Sequence, residues 1–210
     1  DGTRFGQSEV STVDTALLLA GALTAGQYFG GSVLASANVL MLNIDWNYFF
    51  NDSTKRFHHA WKPENVFGFT VGSPDGDGYL SNQEWDRPTD ETLLINLLAL
   101  AHDPANQSFR ESMYVWPRVT RSYGGYNVVN SYFGSLFTYI FGQIFFDFDV
   151  MGVDNPSGAG SAAPEVDWFE NARQAALANR QFVIDESSNF LTYSADQWGL
   201  SASYRPDGSY

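Results

Sequence analysis

The 210-residue chain carries 24 acidic and 11 basic residues, which gives a formal net charge of −13 at pH 7, and 44% of its residues are hydrophobic. That apolar share is sufficient for a buried core. The acidic balance excludes a phosphate-backbone ligand, because no basic stripe is available to displace counterions. The absence of cysteine excludes disulfides, thiolate nucleophiles and zinc–thiolate sites. The three histidines lack the His-Glu-x-x-His spacing of a catalytic zinc site, and the apolar runs are too short for a membrane span.

Aromatic residues make up 16% of the chain, with 17 Phe, 11 Tyr and 6 Trp. This exceeds what packing usually requires and suits ligands with flat apolar faces such as sugar rings, although core packing is the commoner use. The sequence begins at Asp1 rather than Met, so we expect a processed or truncated product.

The first predicted helix begins at Ser11, a hydroxyl N-cap followed by Asp14 in the first turn. Residues 16–23 are apolar on every side, which predicts a helix surrounded by other helices. Glu9 and Asp14 lie at its N-terminal end, a position that suits the mouth of a cleft. The alternative is that Asp14 only complements the helix dipole.

A second helix is predicted over residues 32–50, packed antiparallel to the first through a short Gly-Gly turn. The sequence pattern changes over residues 51–87. Residues 66–70 and 79–80 predict two strands of a hairpin that projects from a helical body. A third helix begins after Pro88, with Thr89 as its cap, and extends to residue 103.

The remaining segments are also predicted to be mainly helical. Residues 108–117 are predicted to be a short helix or irregular. The aromatic run 132–149 is assigned to a helix because it exceeds ordinary strand length, and a strand is the alternative. A Gly- and Pro-rich loop precedes an amphipathic helix over 167–184, and the tail from residue 192 is irregular. The predicted class is all-α in a single domain over 1–210, with 51–87 as a hairpin insertion.

Residues 73–84 follow the spacing of a twelve-residue calcium loop. Oxygen ligands at Asp75, Asp77, Ser81 and Glu84 fall at positions three, five, nine and twelve, with glycine at position six. Ser73 at position one lacks the usual carboxylate, which lowers the expected affinity. A plain hairpin turn explains the Asp-Gly-Asp-Gly run equally well.

Five motifs occur in order along the chain and together resemble a known family. They are Ser11-Thr12-Val13-Asp14-Thr15-Ala16-Leu17-Leu18, Glu91-x-x-Leu94-x-x-Leu97-x-Ala99, Leu136-Phe137 ten residues before Asp147, Trp168-Phe169-x-Asn171-x-Arg173, and Trp198-Gly199-Leu200-Ser201-Ala202. The set resembles the bacterial glucoamylase-like conserved domain, the group that contains the endo-β-1,2-glucanases and a domain of cyclic β-1,2-glucan synthases.

The resemblance implies an (α/α)6 toroid of six inner and six outer helices with a sugar-binding cleft at one end. The family domain is longer than this chain, so we expect an incomplete toroid, a fragment of a larger domain. An incomplete ring exposes the surface of its inner helices, which predicts self-association.

The resemblance also implies glycoside hydrolysis by two carboxyl groups, with inversion as the expected outcome and with no required cofactor. Glu91 is the predicted acid, because it begins a helix of apolar residues and matches the family's Glu; a surface Glu that favours a helix N-terminus is the alternative. Asp147 and Asp14 compete for the second role, and loop hydrogen bonding is the alternative for Asp147. The family pattern has histidines where this chain has Tyr139 and Gln143, and Arg where it has Asp149.

Substrate contacts are predicted for seven side chains, although core packing is the commoner fate of any one aromatic among them: Trp61, Trp85, Trp116, Tyr126, Gln143, Asn171 and Trp198. The predicted partner is a glucan, with no nucleic acid, and the predicted location is periplasmic or extracellular. The alternative function is a domain that binds an oligosaccharide without cleaving it. A structural helical domain would not explain the order of the motifs.

Overall fold

The computed structural model describes residues 4–6, 8–131 and 134–203. The chain divides into two compact units. The first comprises the described residues up to Asp86 together with Thr92–Trp116, and the second comprises Arg87–Glu91 and the described residues from Pro117 onward.

The first unit begins with a helical hairpin. Helix α1, Thr12–Phe29, is capped by the Ser11 hydroxyl, which accepts the Asp14 N–H at 3.2 Å, and helix α2 spans Gly31–Leu42. The two helices pack closely at Gly26, where an added Cβ would lie 3.0 Å from Leu34 Cα. The predicted cap and the paired helices are confirmed.

Two expectations for this hairpin are wrong. Within the described residues α1 is buried on one side only, and Leu18, Tyr28 and Phe29 are 64%, 83% and 70% exposed. Helix α2 also ends earlier than predicted. Asp45 starts a separate 3₁₀ turn, Trp46–Phe49, because its carboxylate accepts the Asn47 N–H at 3.0 Å.

An antiparallel sheet of four short strands follows. The strands are β1 (Val10–Ser11), β4 (Ala60–Lys62), β5 (Phe69–Gly72) and β6 (Tyr79–Ser81), in the order β1-β4-β6-β5. Strands β2 (Phe50–Asn51) and β3 (Arg56–Phe57) form a separate antiparallel ribbon. The predicted hairpin is therefore present as β5 and β6, but it is one edge of a sheet that reaches back to β1.

Two further helices complete the first unit. Helix α3, Asp90–His102, confirms the prediction after Pro88; its first two residues belong to the second unit. Leu93, Leu94 and Ile95 on this helix are fully buried. Helix α4, Gln107–Ser112, is capped by the Asn106 side chain, which accepts the Phe109 N–H at 3.2 Å.

The second unit is built from a β-hairpin and one long helix. Strands β7 (Thr120–Tyr123) and β8 (Tyr126–Val129) pair around Gly124 and Gly125, whose φ angles are +58° and +87°. Two adjacent positive φ angles define the turn that best matches strand twist and favour glycine at both positions. Helix α7, Trp168–Asp185, confirms the helix predicted over 167–184, and Asp167 is its N-cap.

The long helix predicted over 132–149 is wrong; residues 132 and 133 lie outside the described residues. The structure has α5 (Phe137–Ile140), a 3₁₀ turn (Gly142–Ile144) and α6 (Phe148–Met151). The Gly142 N–H donates to the Asp90 carboxylate at 2.8 Å instead of continuing the helical hydrogen-bond pattern. A side chain from another element therefore ends α5.

The predicted all-α class is wrong as well. The described residues contain eight β-strands in three sheets beside seven α-helices, a mixed composition, and the (α/α)6 toroid is not confirmed. The strands have two to four residues, too few to show a two-residue alternation in the sequence.

Among the described helices, none combines the length and apolarity needed to cross a membrane. The tail is irregular up to Ser203, and residues 204–210 lie outside the described part.

Candidate functional site

A pair of adjacent carboxyl groups begins α3. Asp90 is 4% exposed, and its Oδ2 accepts the Gly142 N–H at 2.8 Å. Burial raises the pKa of Asp90 to about 7; the Glu91 charge also raises it, while the Gly142 N–H lowers it. Glu91, the predicted acid, is half-buried beside it. The sequence predicted that Glu91 is partly desolvated, but Asp90 was not among the predicted site residues. Two adjacent acidic residues at a helix start could have indicated it.

The neighbouring residues in the sequence explain why these carboxyl groups are shielded from water. Thr89, just before the helix, and Leu93 and Leu94, one turn later, are fully buried. Because these neighbours exclude water, a carboxyl group in the first turn is desolvated, which favours its neutral form.

The two candidates for the second carboxylate have different surroundings. Asp147 is exposed and caps α6, since its Oδ1 accepts the Val150 N–H at 3.2 Å. Asp14 is exposed in the first turn of α1 and belongs to the first unit, whereas Glu91 and Asp147 belong to the second. The pairing of Glu91 with either aspartate stays a prediction.

The predicted aromatic platforms divide by exposure. Trp85 and Trp116 are 7% and 3% exposed, and the Trp85 indole donates to the Thr12 hydroxyl at 2.9 Å. Both are core residues in the described structure. Trp61 and Tyr126 are half-buried, and Trp198 is 43% exposed. These three keep aromatic surface within reach of a ligand.

The segment that carries Trp198 is held by Asn179 on α7. The Asn179 amide donates to the Gly134 carbonyl at 3.1 Å and the Leu200 carbonyl at 3.3 Å, and it accepts the N–H groups of Gly199 and Leu200 at 3.2 and 3.0 Å. A cavity of about 430 Å³ beside this segment is walled by Tyr123, Leu136, Tyr139, Phe182 and Leu200, among others.

The predicted polar contacts are engaged within the protein. Asn171 accepts the Val129 N–H at 2.7 Å and so ties α7 to β8. The Gln143 amide donates to the Trp168 carbonyl at 3.4 Å, and the Tyr139 hydroxyl accepts the Ser131 N–H at 2.9 Å. Asn171 and Tyr139 are buried, which favours positioning of the chain over ligand contact.

The predicted calcium ligands take part in other contacts. The Asp77 carboxylate accepts from the hydroxyls of Tyr48 and Ser73, whereas Glu84 accepts the Asn51 amide at 2.7 Å. The Ser81 hydroxyl accepts the Gln83 N–H at 3.1 Å, and Asp75 is exposed. Over the described ranges no group of three or more His, Cys, Asp or Glu residues is placed to hold a metal ion. Calcium binding stays a prediction.

Comparison with known proteins connects these features to a family. The chain is 24% identical over 223 aligned residues to an exo β-1,2-glucooligosaccharide sophorohydrolase (non-reducing end) of Parabacteroides distasonis, covering 91% of this chain and 28% of that protein. A crystal structure of a putative glucoamylase from Bacteroides uniformis superposes with a TM-score of 0.69 at 19% identity. The endo-β-1,2-glucanase of Chitinophaga pinensis, in a sophorotriose and glucose complex, gives 0.70 at 19% identity.

Each of the two solved structures aligns with 94% of this chain, and the chain spans 46% of their length. At these identities the two structures show a shared fold. Residues 82–210, more than half of the chain, match the Glycoamylase family, described as "Putative glucoamylase". The chain therefore belongs to this glucoamylase-like family.

Proposed function

We propose that the protein is a glycoside hydrolase that acts on a β-glucan, with β-1,2-linked glucan as the substrate of the relatives it matches. Family membership supports the reaction class. The names of the sophorohydrolase and the endo-β-1,2-glucanase support the linkage. The chain spans only 28% and 46% of the length of those relatives, so both the activity and the substrate are proposals for it.

The observation that carries the proposal is the placement of Glu91. It is half-buried in the first turn of α3, next to a carboxyl group whose pKa is raised to about 7 by burial. In glycoside hydrolysis a carboxyl group of this kind donates its proton to the leaving glycosidic oxygen. In the proposed reaction Glu91 is the general acid, and Asp147 or Asp14 activates water on the opposite face of the sugar, with inversion.

The test is release of reducing ends from β-1,2-glucan. Glu91→Gln removes the proton donor and keeps the shape, so we expect a loss of about 10²–10⁴-fold in rate. Glu170→Gln, on the exposed part of α7, is the control and keeps the wild-type rate. Asp147→Asn and Asp14→Asn, measured separately, identify the second carboxylate. An equal rate for Glu91→Gln and wild type would refute the role of Glu91.

A second candidate is a domain that binds the glucan without cleaving it. It is favoured by the use of Asp147 as a helix cap and by the buried Tyr139, whose hydroxyl is occupied by Ser131. Under this candidate, wild type and Glu91→Gln bind the glucan equally and neither releases reducing ends.

An exported location belongs to either form of the proposal, because a polymeric glucan is met outside the cytoplasm.

A further inference from the structure

The first unit contains a cavity that none of the three proposed catalytic carboxylates lines. It has a volume of about 300 Å³, at the lower end of the range for small-molecule sites. Its walls come from the end of α2, the 3₁₀ turn, β4 and the β5–β6 turn. They include Ile44, Asp45, Tyr48, Phe49, Trp61 and Asp77.

Trp61 is the aromatic wall of this cavity, and its position is fixed by two neighbouring strands. It pairs with Val10 on β1 and with Leu80 on β6. A Cβ at Gly78 would lie 2.6 Å from the indole Nε1 and 2.5 Å from the Lys62 carbonyl, so only glycine lets the β5–β6 turn approach this closely. The indole N–H is buried and completes no hydrogen bond in the described structure.

Two carboxylates face the same cavity. Asp77 accepts from the Tyr48 hydroxyl at 2.6 Å and the Ser73 hydroxyl at 2.8 Å. These two bonds, with that of Tyr48 the larger, lower the pKa of Asp77, and the nearby Trp61 indole adds a smaller effect. Asp45 accepts the Asn47 N–H through Oδ1. Both hydroxyl bonds to Asp77 are made to its Oδ1, and the Asn47 bond to Asp45 is likewise made to one oxygen, Oδ1.

The chemistry of the walls selects among ligand classes. The described residues that line the cavity include two carboxylates and no Lys or Arg, so anionic ligands are repelled. A hard metal ion needs about six oxygen ligands, whereas Ile44 and Phe49 make much of this wall apolar. A neutral polyol fits both parts, because its hydroxyls donate to carboxylates while its C–H face packs on an aromatic ring.

We infer that this cavity is a glucan-binding site of the first unit. One sugar ring packs against Trp61, with its hydroxyls donating to Asp45 and Asp77 and with the exposed Asn43 amide at the rim. The choice of glucan as the polyol rests on the proposed function. The site would hold a substrate chain by contacts separate from those of Glu91.

The test follows the indole ¹⁵N–H resonance of Trp61, assigned with Trp61→Phe, while β-1,2-linked gluco-oligosaccharides are added to the Glu91→Gln chain. We expect a saturable shift of this resonance. Asp77→Ala should weaken binding about tenfold, because a charge-assisted hydrogen bond is lost. Asp75→Ala, an exposed acid in the same turn that does not line the cavity, is the matched control and should bind like wild type.

The outcomes separate this inference from the proposed function. A Trp61 resonance that shifts while wild type releases no reducing ends supports the site and refutes hydrolysis. A resonance that stays in place while wild type cleaves the glucan refutes the site and leaves hydrolysis standing. Shifts with calcium chloride or tetramethylammonium chloride, but not with the oligosaccharide, would overturn the sugar assignment, as would equal affinities for Asp77→Ala and Asp75→Ala.

Discussion

Asp90 and Gly142 are joined by a 2.8 Å hydrogen bond from the glycine N–H to a carboxylate that is 4% exposed. The contact links the start of α3 to the aromatic segment after α5. The approach is close, because an added Cβ at residue 142 would lie 3.1 Å from Asp90 Oδ2 and the carboxylate would have to shift by a few tenths of an ångström. One buried carboxyl group therefore both ends a helix and adjoins the proposed general acid.

The protonation of Asp90 should make stability depend on pH. The folded state keeps the proton up to about pH 7, whereas the unfolded chain releases it near the ordinary pKa of 3.8. Folding therefore takes up a proton between these values, and this group's contribution to the free energy of unfolding falls as pH rises from about 4 to 7, by about 1.4 kcal/mol per unit at most. Above pH 7 the contribution is constant.

Asp90→Asn isolates this effect, because the amide oxygen still accepts the Gly142 N–H and carries no charge. We expect the variant to be as stable as wild type near pH 4 and more stable at pH 8. Thermal unfolding at both pH values measures the difference. A wild-type advantage at pH 8 would contradict the burial of an ionisable Asp90.

Arg118 and Asp154 form a buried ion pair at the centre of the second unit. Their side chains are 1% and 11% exposed, with N–O distances of 2.8 and 3.1 Å. Asp154 also accepts the Trp168 indole N–H at 3.0 Å and the Val166 N–H at 2.8 Å. One carboxylate therefore connects three separate parts of this unit.

Asp154→Ala should lower the free energy of unfolding by about 3–5 kcal/mol, because it removes the carboxylate that pairs with the buried Arg118 charge. Urea denaturation measures the change. Glu170→Gln is the control: it breaks the exposed pair with Arg173, at 2.6 Å, and should leave stability unchanged. Equal effects of the two substitutions would show that the Arg118 pair is not buried as described.

Asn179 should determine the order of the Trp198 segment. Replacing it with Ala removes four hydrogen bonds to Gly134, Gly199 and Leu200. We expect a loss of about 1–3 kcal/mol, together with faster amide hydrogen exchange at Gly199 and Leu200. Asn189→Ala, which removes one exposed contact to Glu186, is the control. Unchanged exchange in the Asn179 variant would rule out this role.

The exposed side of the α1–α2 hairpin predicts self-association of this chain. Leu18 and Leu42 are 64% and 71% exposed, and Tyr28 and Phe29 on the same hairpin are 83% and 70% exposed. Apolar surface of this kind favours association in water. Light scattering should show oligomers that dissociate in a Leu18→Lys, Leu42→Lys double variant. A monodisperse wild-type monomer would contradict the prediction.

Local signals in the sequence located several elements correctly. Ser11 and Asp167 each cap the predicted helix, because a short side chain with an oxygen acceptor satisfies free N–H groups at a helix start. Pro88 and the apolar run after Glu91 likewise predicted α3. The adjacent residues Gly124 and Gly125 are typical of a hairpin turn and could have predicted β7 and β8.

The sequence by itself determined the starts of α1, α3 and α7, the β5–β6 hairpin and the family, since each depends on residues that are close in the chain or on motifs in order. The tertiary structure decided which side chains are available. It buried Trp85 and Trp116, raised the pKa of Asp90 beside Glu91, and ended α5 at Gly142. Asp90 and Gly142 are 52 positions apart in the sequence. Their hydrogen bond and their burial depend on how the chain folds back on itself, and no local sequence pattern encodes a contact between residues so far apart.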